Sequence, residues 1–286
     1  MTLVWLITGV SSGLGLHLTQ IVLARGDKVI ATARSPGPKP HDDLPTCSPN
    51  LKLIQLDLDW DTEQIHAAVK NAVQIWGRVD VLVNNAGYSH KGLAEEVGSA
   101  GFKQQFQTNF FGLMDVTNAV LPTMRQRRSG TIVNIGSRTS WRPDFPGGSI
   151  YGSSKAAVRV YSESLATEIA PFGIRMLIVE PASFKSDTYT KTPWDDRNPI
   201  ADYANLATQI QEVLRLRGSA VKGDPHKGMS VVADVVRGEG VAKGKEWPLY
   251  LLLGDLAISG FKEKAEIILE RTKDWEPIMA DLNCDE

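Results

Sequence analysis

Cysteine is nearly absent. Cys47 and Cys284 are the only two in 286 residues and lie far apart, which argues against a disulfide framework or a zinc site and fits a reducing cytosol. The five histidines, His17, His41, His66, His90 and His226, show no ligand spacing, so no metal is expected. Excess charge is missing too: a formal net charge of -2 provides no basic surface for nucleic acid. The short run Arg125, Arg127, Arg128 closes an apolar-periodic segment, where cations stabilise the negative end of a helix dipole. No apolar run approaches the ~20 residues of a membrane span, and the start Leu3 to Ile7 is too short and too poor in flanking charge for a signal peptide. The expected protein is cytoplasmic and water-soluble, with no membrane or nucleic-acid partner.

What is present is an ordinary globular composition, 42% hydrophobic and 22% charged. Short β-branched runs recur at Leu3 to Thr8, Lys28 to Ala33, Leu51 to Asp57, Val79 to Asn84, Thr131 to Ser137 and Ile174 to Glu180, as buried parallel strands do. Helical spacing fills the intervals, and the stripe Phe106, Phe110, Leu113, Thr117, Val120, Met124 predicts one long amphipathic helix from Gln104 to Arg128. Strands alternating with helices lead to a Rossmann-type α/β fold, a doubly wound parallel sheet with helices on both faces. The whole chain, 1–286, reads as a single domain with a candidate substrate lid at about 182–240. A last strand at Pro248 to Leu253 and a helical tail from Phe261 to Ala280 complete it.

Directly after the first strand stands Thr8-Gly9-Val10-Ser11-Ser12-Gly13-Leu14-Gly15. A pyrophosphate needs backbone N–H groups and a helix N-terminus, and Gly9, Gly13 and Gly15 allow the tight turn and close approach. The turn lacks the Gly-Lys-Ser/Thr ending of a triphosphatase loop, so a dinucleotide is the better ligand. Which dinucleotide is decided at the end of the second strand. An acid there suits a ribose hydroxyl, whereas Arg34 suits a 2′-phosphate, so the expected cofactor is NADP(H).

Tyr151 and Lys155 are four apart at the start of a helix, which makes phenol and ammonium neighbours on one face. A free tyrosine, with a pKa of about 10, is a poor acid-base group at neutral pH, and a nearby cation favours its phenolate. Ser137 ends the fifth strand, at the sheet edge where α/β proteins bind ligands, and is placed to hydrogen-bond a reacting oxygen.

Taken together, the glycine turn, Asp57, Asn84-Asn85-Ala86-Gly87, Asn109, Ser137, Tyr151 and Lys155 stand in the order of the short-chain dehydrogenase/reductase family, which the chain resembles over nearly its whole length. The resemblance implies that Ser11, Ser12 and Leu14 join the glycines in holding the cofactor, and that Asp57 and Leu58 contact the adenine. It implies that Asn85, Ala86 and Gly87 line a ribose, that Lys155 binds the nicotinamide ribose, and that Asn109 holds a water in a relay to Lys155. After the sixth strand the family's Pro-Gly and threonine become Pro181-Ala182-Ser183-Phe184-Lys185-Ser186. Pro181, Phe184 and Ser186 are the expected cofactor contacts there, on a loop that lacks the usual glycine.

The implied activity is hydride transfer between NADP(H) and a carbonyl or alcohol, with Tyr151 as acid-base group. Two rivals stand beside it: isomerisation, dehydration or cyclisation with the cofactor as scaffold, and nucleotide sensing without catalysis. Trp141, Phe145, Phe184, Tyr189, Trp194 and Tyr203, near the site loop and lid, suggest a moderately apolar substrate. The loop style resembles fungal members, some of which act on secondary metabolites. The resemblance also implies pairing through the helices of Asn109 and Tyr151, as a homodimer or homotetramer.

Overall fold

The computed structural model describes residues 1–35, 44–45, 47–142, 145–185, 193–280, 282 and 284. The β-branched runs become β1 (Val4–Thr8), β2 (Lys28–Ala33), β3 (Leu51–Gln55), β4 (Val81–Asn84), β5 (Gly130–Ile135), β6 (Ile174–Pro181) and β7 (Tyr250–Leu253). They pair in parallel as a seven-stranded sheet of order β3-β2-β1-β4-β5-β6-β7. β3 stops at Gln55 and β5 at Ile135, earlier than the sequence pattern suggests. Asp57 and Ser137 therefore lie past the hydrogen-bonded ladder, where a side chain can face a ligand.

Alternate side chains of each strand point to opposite faces, and both faces are covered. Trp5, Ile7, Val29, Val83 and Val133 pack with α1 (Gly13–Ala24) and α7 (Pro225–Arg237). Leu6, Ile30, Leu82, Ile132 and Met176 pack with α2 (Thr62–Gln74), α4 (Gly112–Arg127) and α5 (Ser149–Ile169). The other α-helices among the described residues are α3 (Ala94–Phe106), α6 (Ala204–Ser219), α8 (Asp255–Lys273) and the short α9 (Glu276–Met279). Local signals set the ends. Asp61 opens α2 with a capping box shared with Gln64, and Asp224 caps α7 through the N–H groups of His226 and Lys227.

One expectation is corrected. The stripe from Gln104 to Arg128 is not one α-helix, because a π-helical turn at Gln107–Phe111 separates α3 from α4. One extra residue in a turn leaves a three-and-four spacing legible on either side, so apolar periodicity does not reveal it. The last helix of the stretch expected as a lid has a second partner in the core. α7 buries Met229, Val232, Ala233 and Val236 in the α1 layer, so the end of the 182–240 stretch is a structural layer of the fold.

The basic run also does more than meet a dipole. Arg127 donates to the carbonyl of Val79 at 2.7 Å, and Arg128 ends α4 in a left-handed conformation with its guanidinium 5.3 Å from the ring centroid of Phe172.

A buried ionic latch joins the two ends of the α1 layer. Asp27, only 1% exposed, accepts from the backbone of Leu3 at 2.9 Å, the indole of Trp5 at 2.8 Å and the guanidinium of Arg237 at 2.7 Å. Asp27→Ala strands the buried indole N–H of Trp5 and takes one of two carboxylates from the largely buried Arg237, which keeps Glu239 at 2.8 Å. Urea unfolding should show a loss of about 3–5 kcal/mol; a loss below about 1 kcal/mol would contradict this account of the latch.

Candidate active site

The chain winds outward from β1 to β3 and then returns to β4, so the strand order reverses between β1 and β4 and opens a crevice at their carboxyl ends. Gly9 follows β1 with φ 70, and a β-carbon there would lie 2.7 Å from Ala86 Cα. At Gly15 an added carbon would lie 2.4 Å from Asn85 Nδ2 and 2.5 Å from the Gly9 carbonyl. The neighbours are this close because Asn85 Nδ2 donates to the carbonyls of Thr8 at 2.8 Å and Gly9 at 2.9 Å. The Thr8 hydroxyl in turn accepts the N–H groups of Asn85 and Ala86, each at 3.0 Å. Past Ser11 and Ser12, α1 begins at Gly13, and Leu14 packs against the core. No acidic residue occupies its first turn, so the positive end of its dipole is not neutralised.

On the other side of the crevice, Arg34 is exposed immediately past β2, its carbonyl held by Gln55 Nε2 at 2.9 Å. Asp57 is half-buried and accepts the Asp59 N–H at 3.0 Å. Leu58 is buried in the layer of α2 and α4, so its side chain serves packing.

The acid-base candidates meet at the carboxyl ends of β4 and β5. Lys155 is 4% exposed and donates to the Ile135 carbonyl at 2.7 Å, two residues before Ser137, while its ammonium lies 5.9 Å from the centroid of the Tyr151 ring. Burial lowers the Lys155 pKa to about 8, with the charge of Glu180 opposing the fall. Ser137 is 8% exposed, and its oxygen accepts from the Thr139 N–H at 3.2 Å and the Thr139 hydroxyl at 2.9 Å. With both lone pairs engaged, the Ser137 proton is available to a further acceptor. Ser140 is committed elsewhere, donating to Glu180 at 2.6 Å.

Asn109, fully buried in the π-turn, accepts from the Tyr88 N–H at 3.1 Å and donates to the Tyr88 carbonyl at 3.0 Å and Ser154 at 3.2 Å. It pins the segment after β4 to α5. Gly87 leaves space for this, since a β-carbon there would lie 2.9 Å from Asn109 Oδ1 and 3.7 Å from Lys155 Nζ.

Not every sequence candidate gathers here. Pro181 ends β6 against Leu253, and Phe184 packs over Gly228 of α7. Ser186 and Tyr189 lie outside the described residues. Trp141 packs on Phe261 at 4.9 Å and under Arg159 at 4.1 Å. Trp194 does reach the site loop, with its ring 3.3 Å from the position of a Gly147 β-carbon. Sequence reasoning placed Thr8 in the turn but not its role in organising Asn85 and Ala86, and it missed Asn134, which accepts from Asn84 at 2.8 Å and donates to Ser162 of α5 at 2.8 Å. A polar residue inside an otherwise apolar strand is the signal that would have found Asn134. Gly15→Ala should drive Asn85 from the Thr8 and Gly9 carbonyls and lower stability by about 2 kcal/mol or more, read as a drop in melting temperature. An unchanged melt would show that the turn tolerates the carbon.

The short chain dehydrogenase model matches residues 3–197. Oxidoreductase BOA17 from Botryotinia fuckeliana is 34% identical over 279 residues, covering 97% of this chain and 98% of that one. The NADP-dependent 3-hydroxy acid dehydrogenase YdfG from Escherichia coli is 34% identical over 217 residues, 72% of this chain and 84% of that one. A short-chain dehydrogenase structure from Streptomyces avermitilis is 33% identical, with TM-score 0.83 over 99% of this chain and 98% of its own. With the crevice, the glycine turn and the serine, tyrosine and lysine in family order, this chain belongs to the short-chain dehydrogenase/reductase family of oxidoreductases.

Proposed function

We propose that the protein interconverts a carbonyl and an alcohol on a moderately apolar small molecule, using NADP(H), with Tyr151 as the acid-base group. The observation that carries this reading is the mounting of Lys155. A buried ammonium is anchored at the Ile135 carbonyl, two residues before Ser137, and lies beside the Tyr151 ring.

The turn fits a dinucleotide. Its glycines form a cradle that a β-carbon would fill, and it ends at an un-neutralised helix N-terminus. Gly9, Ser11, Ser12, Gly13, Leu14 and Gly15 would hold the pyrophosphate side, Asp57 and Leu58 the adenine, and Asn85, Ala86, Gly87 and Lys155 the riboses. Pro181 and Phe184 would border the nicotinamide end. Arg34 would pair with a 2′-phosphate, which the NADP-dependent YdfG supports by its name. When bound, the nicotinamide supplies or takes up the hydride.

In the reductive direction Ser137 donates a hydrogen bond to the substrate oxygen and fixes its position. Tyr151 transfers its phenolic proton to the same oxygen as negative charge develops there. Lys155, an ammonium at neutral pH, stabilises the phenolate that remains. Asn109 keeps α5 in register with the segment after β4, and a water held there would return a proton to Lys155. Trp194 over Gly147 provides an apolar wall for the substrate. The exposed apolar side chains Phe111 and Val160 favour pairing of two copies through the helices of Asn109 and Tyr151. No helix of the described residues is long and apolar enough to cross a membrane.

Tyr151→Phe should reduce NADPH consumption with a ketone panel by about 10²-fold or more, the usual scale of acid-base assistance, with NADPH affinity nearly unchanged. Wild-type turnover by this variant would end the assignment. Arg34→Asp should raise the KM for NADPH at least about tenfold while sparing NADH, the scale of one charged hydrogen bond. Equal effects on the two nucleotides would instead make Arg34 a solvated surface residue.

A further inference from the structure

Glu180 is the last side chain of β6 before Pro181 and has no role in the chemistry above. It is 0% exposed, although a carboxylate is costly to remove from water unless it is well partnered. Its Oε1 accepts the Ser140 hydroxyl at 2.6 Å, and the Trp141 indole also favours its carboxylate. The absence of a side chain at Gly136 makes room, since a β-carbon there would sit 3.2 Å from Oε1. Gly136 stands between Ile135, whose carbonyl holds Lys155, and Ser137. The acid thus lies against the segment that mounts two of the proposed catalytic groups.

The charged and titratable groups around Glu180 are Lys155, Arg159 and Glu163 of α5 and Tyr250 of β7, with the Trp141 indole from the turn after β5. Burial raises its pKa to about 7; Ser140, Trp141 and Arg159 oppose the rise and Glu163 adds to it. The field of Glu180 reaches Lys155 in the opposite sense, favouring the ammonium against the burial that disfavours it.

We propose that Glu180 is a positioning residue of this active site: clamped by Ser140, its carboxylate holds Lys155 as the ammonium that faces Tyr151. The inference rests on the reading of Tyr151 and Lys155 given above. An acid buried at the end of an apolar strand is costly to the fold, and its field on Lys155 gives that acid a function.

The test is a pH titration of Lys155 in the protein without nucleotide, read by NMR from isotopically labelled lysine and assigned by signal loss in Lys155→Met. In Glu180→Gln, Lys155 should release its proton about one pH unit earlier than in the wild type, the order expected for one buried charge. Ser140→Ala removes the bond that favours the carboxylate and should shift Lys155 the same way by less. It also serves if the glutamine variant fails to fold.

Stability gives a second readout. A carboxyl whose folded pKa is raised loses stability as pH climbs from its unfolded value toward about 7, and glutamine has no such loss. Glu180→Gln should therefore melt at or above the wild-type temperature at a pH of about 8. A Lys155 titration identical in all three proteins would overturn the proposal, and a Glu180→Gln variant that only melts lower would mark a purely structural residue. No nucleotide or substrate enters this experiment, so its failure is distinct from that of the hydride-transfer reading, which the Tyr151→Phe assay decides.

Discussion

The two hydrogen bonds from Asn85 to the carbonyls of Thr8 and Gly9 hold the end of β4 against the end of β1. That approach sets the rest of the crevice. It leaves no room for a β-carbon at Gly9 or Gly15, aims the start of α1 at the space between the strands, and presents the backbone of Ala86 and Gly87 to whatever lies there. A side chain amide does this work because it satisfies two carbonyls at a point where the sheet ladder has ended and the chain is turning away.

A second set of polar bonds carries that arrangement through the middle of the sheet to α5. Asn84 donates to Thr117 of α4 and to Asn134 of β5, and Asn134 donates to Ser162 of α5. These groups are buried, so each would be costly if left without its partner, and together they admit few alternative placements of the helix. Asn109 fixes the same helix from its other end through Ser154. Tyr151 and Lys155 are positioned by this framework as much as by their spacing along a helical turn.

Much of this was legible in the sequence. The strands were readable because a parallel sheet covered on both faces demands continuous apolar runs, as in β1 and β2, whose interiors are fully buried. The glycine turn and the Tyr151–Lys155 pair were readable because few residue types satisfy their backbone and chemical requirements. The π-turn at Gln107–Phe111 was not, since it is imposed by long-range bonds from Asn109 to Tyr88 and Ser154. Nor was the place of α7, which is decided by packing on α1 over a separation that local pattern does not encode. The aromatic residues divided for the same reason: Trp194 reaches the site loop while Trp141 packs on Phe261 of α8, and composition does not distinguish the two.

The latch between Asp27 and Arg237 spans 210 positions in the chain. β1 lies inside the sheet and is the first strand made, yet the helix that covers α1 and shields that face of the sheet is α7, near the far end of the polypeptide. During synthesis the ribosome therefore releases the nucleotide-binding half with one apolar face uncovered and with Asp27 still awaiting its cation. The nascent chain must remain without a finished core until about four-fifths of it has emerged, an interval in which sticky surface is exposed and chaperone engagement is favoured.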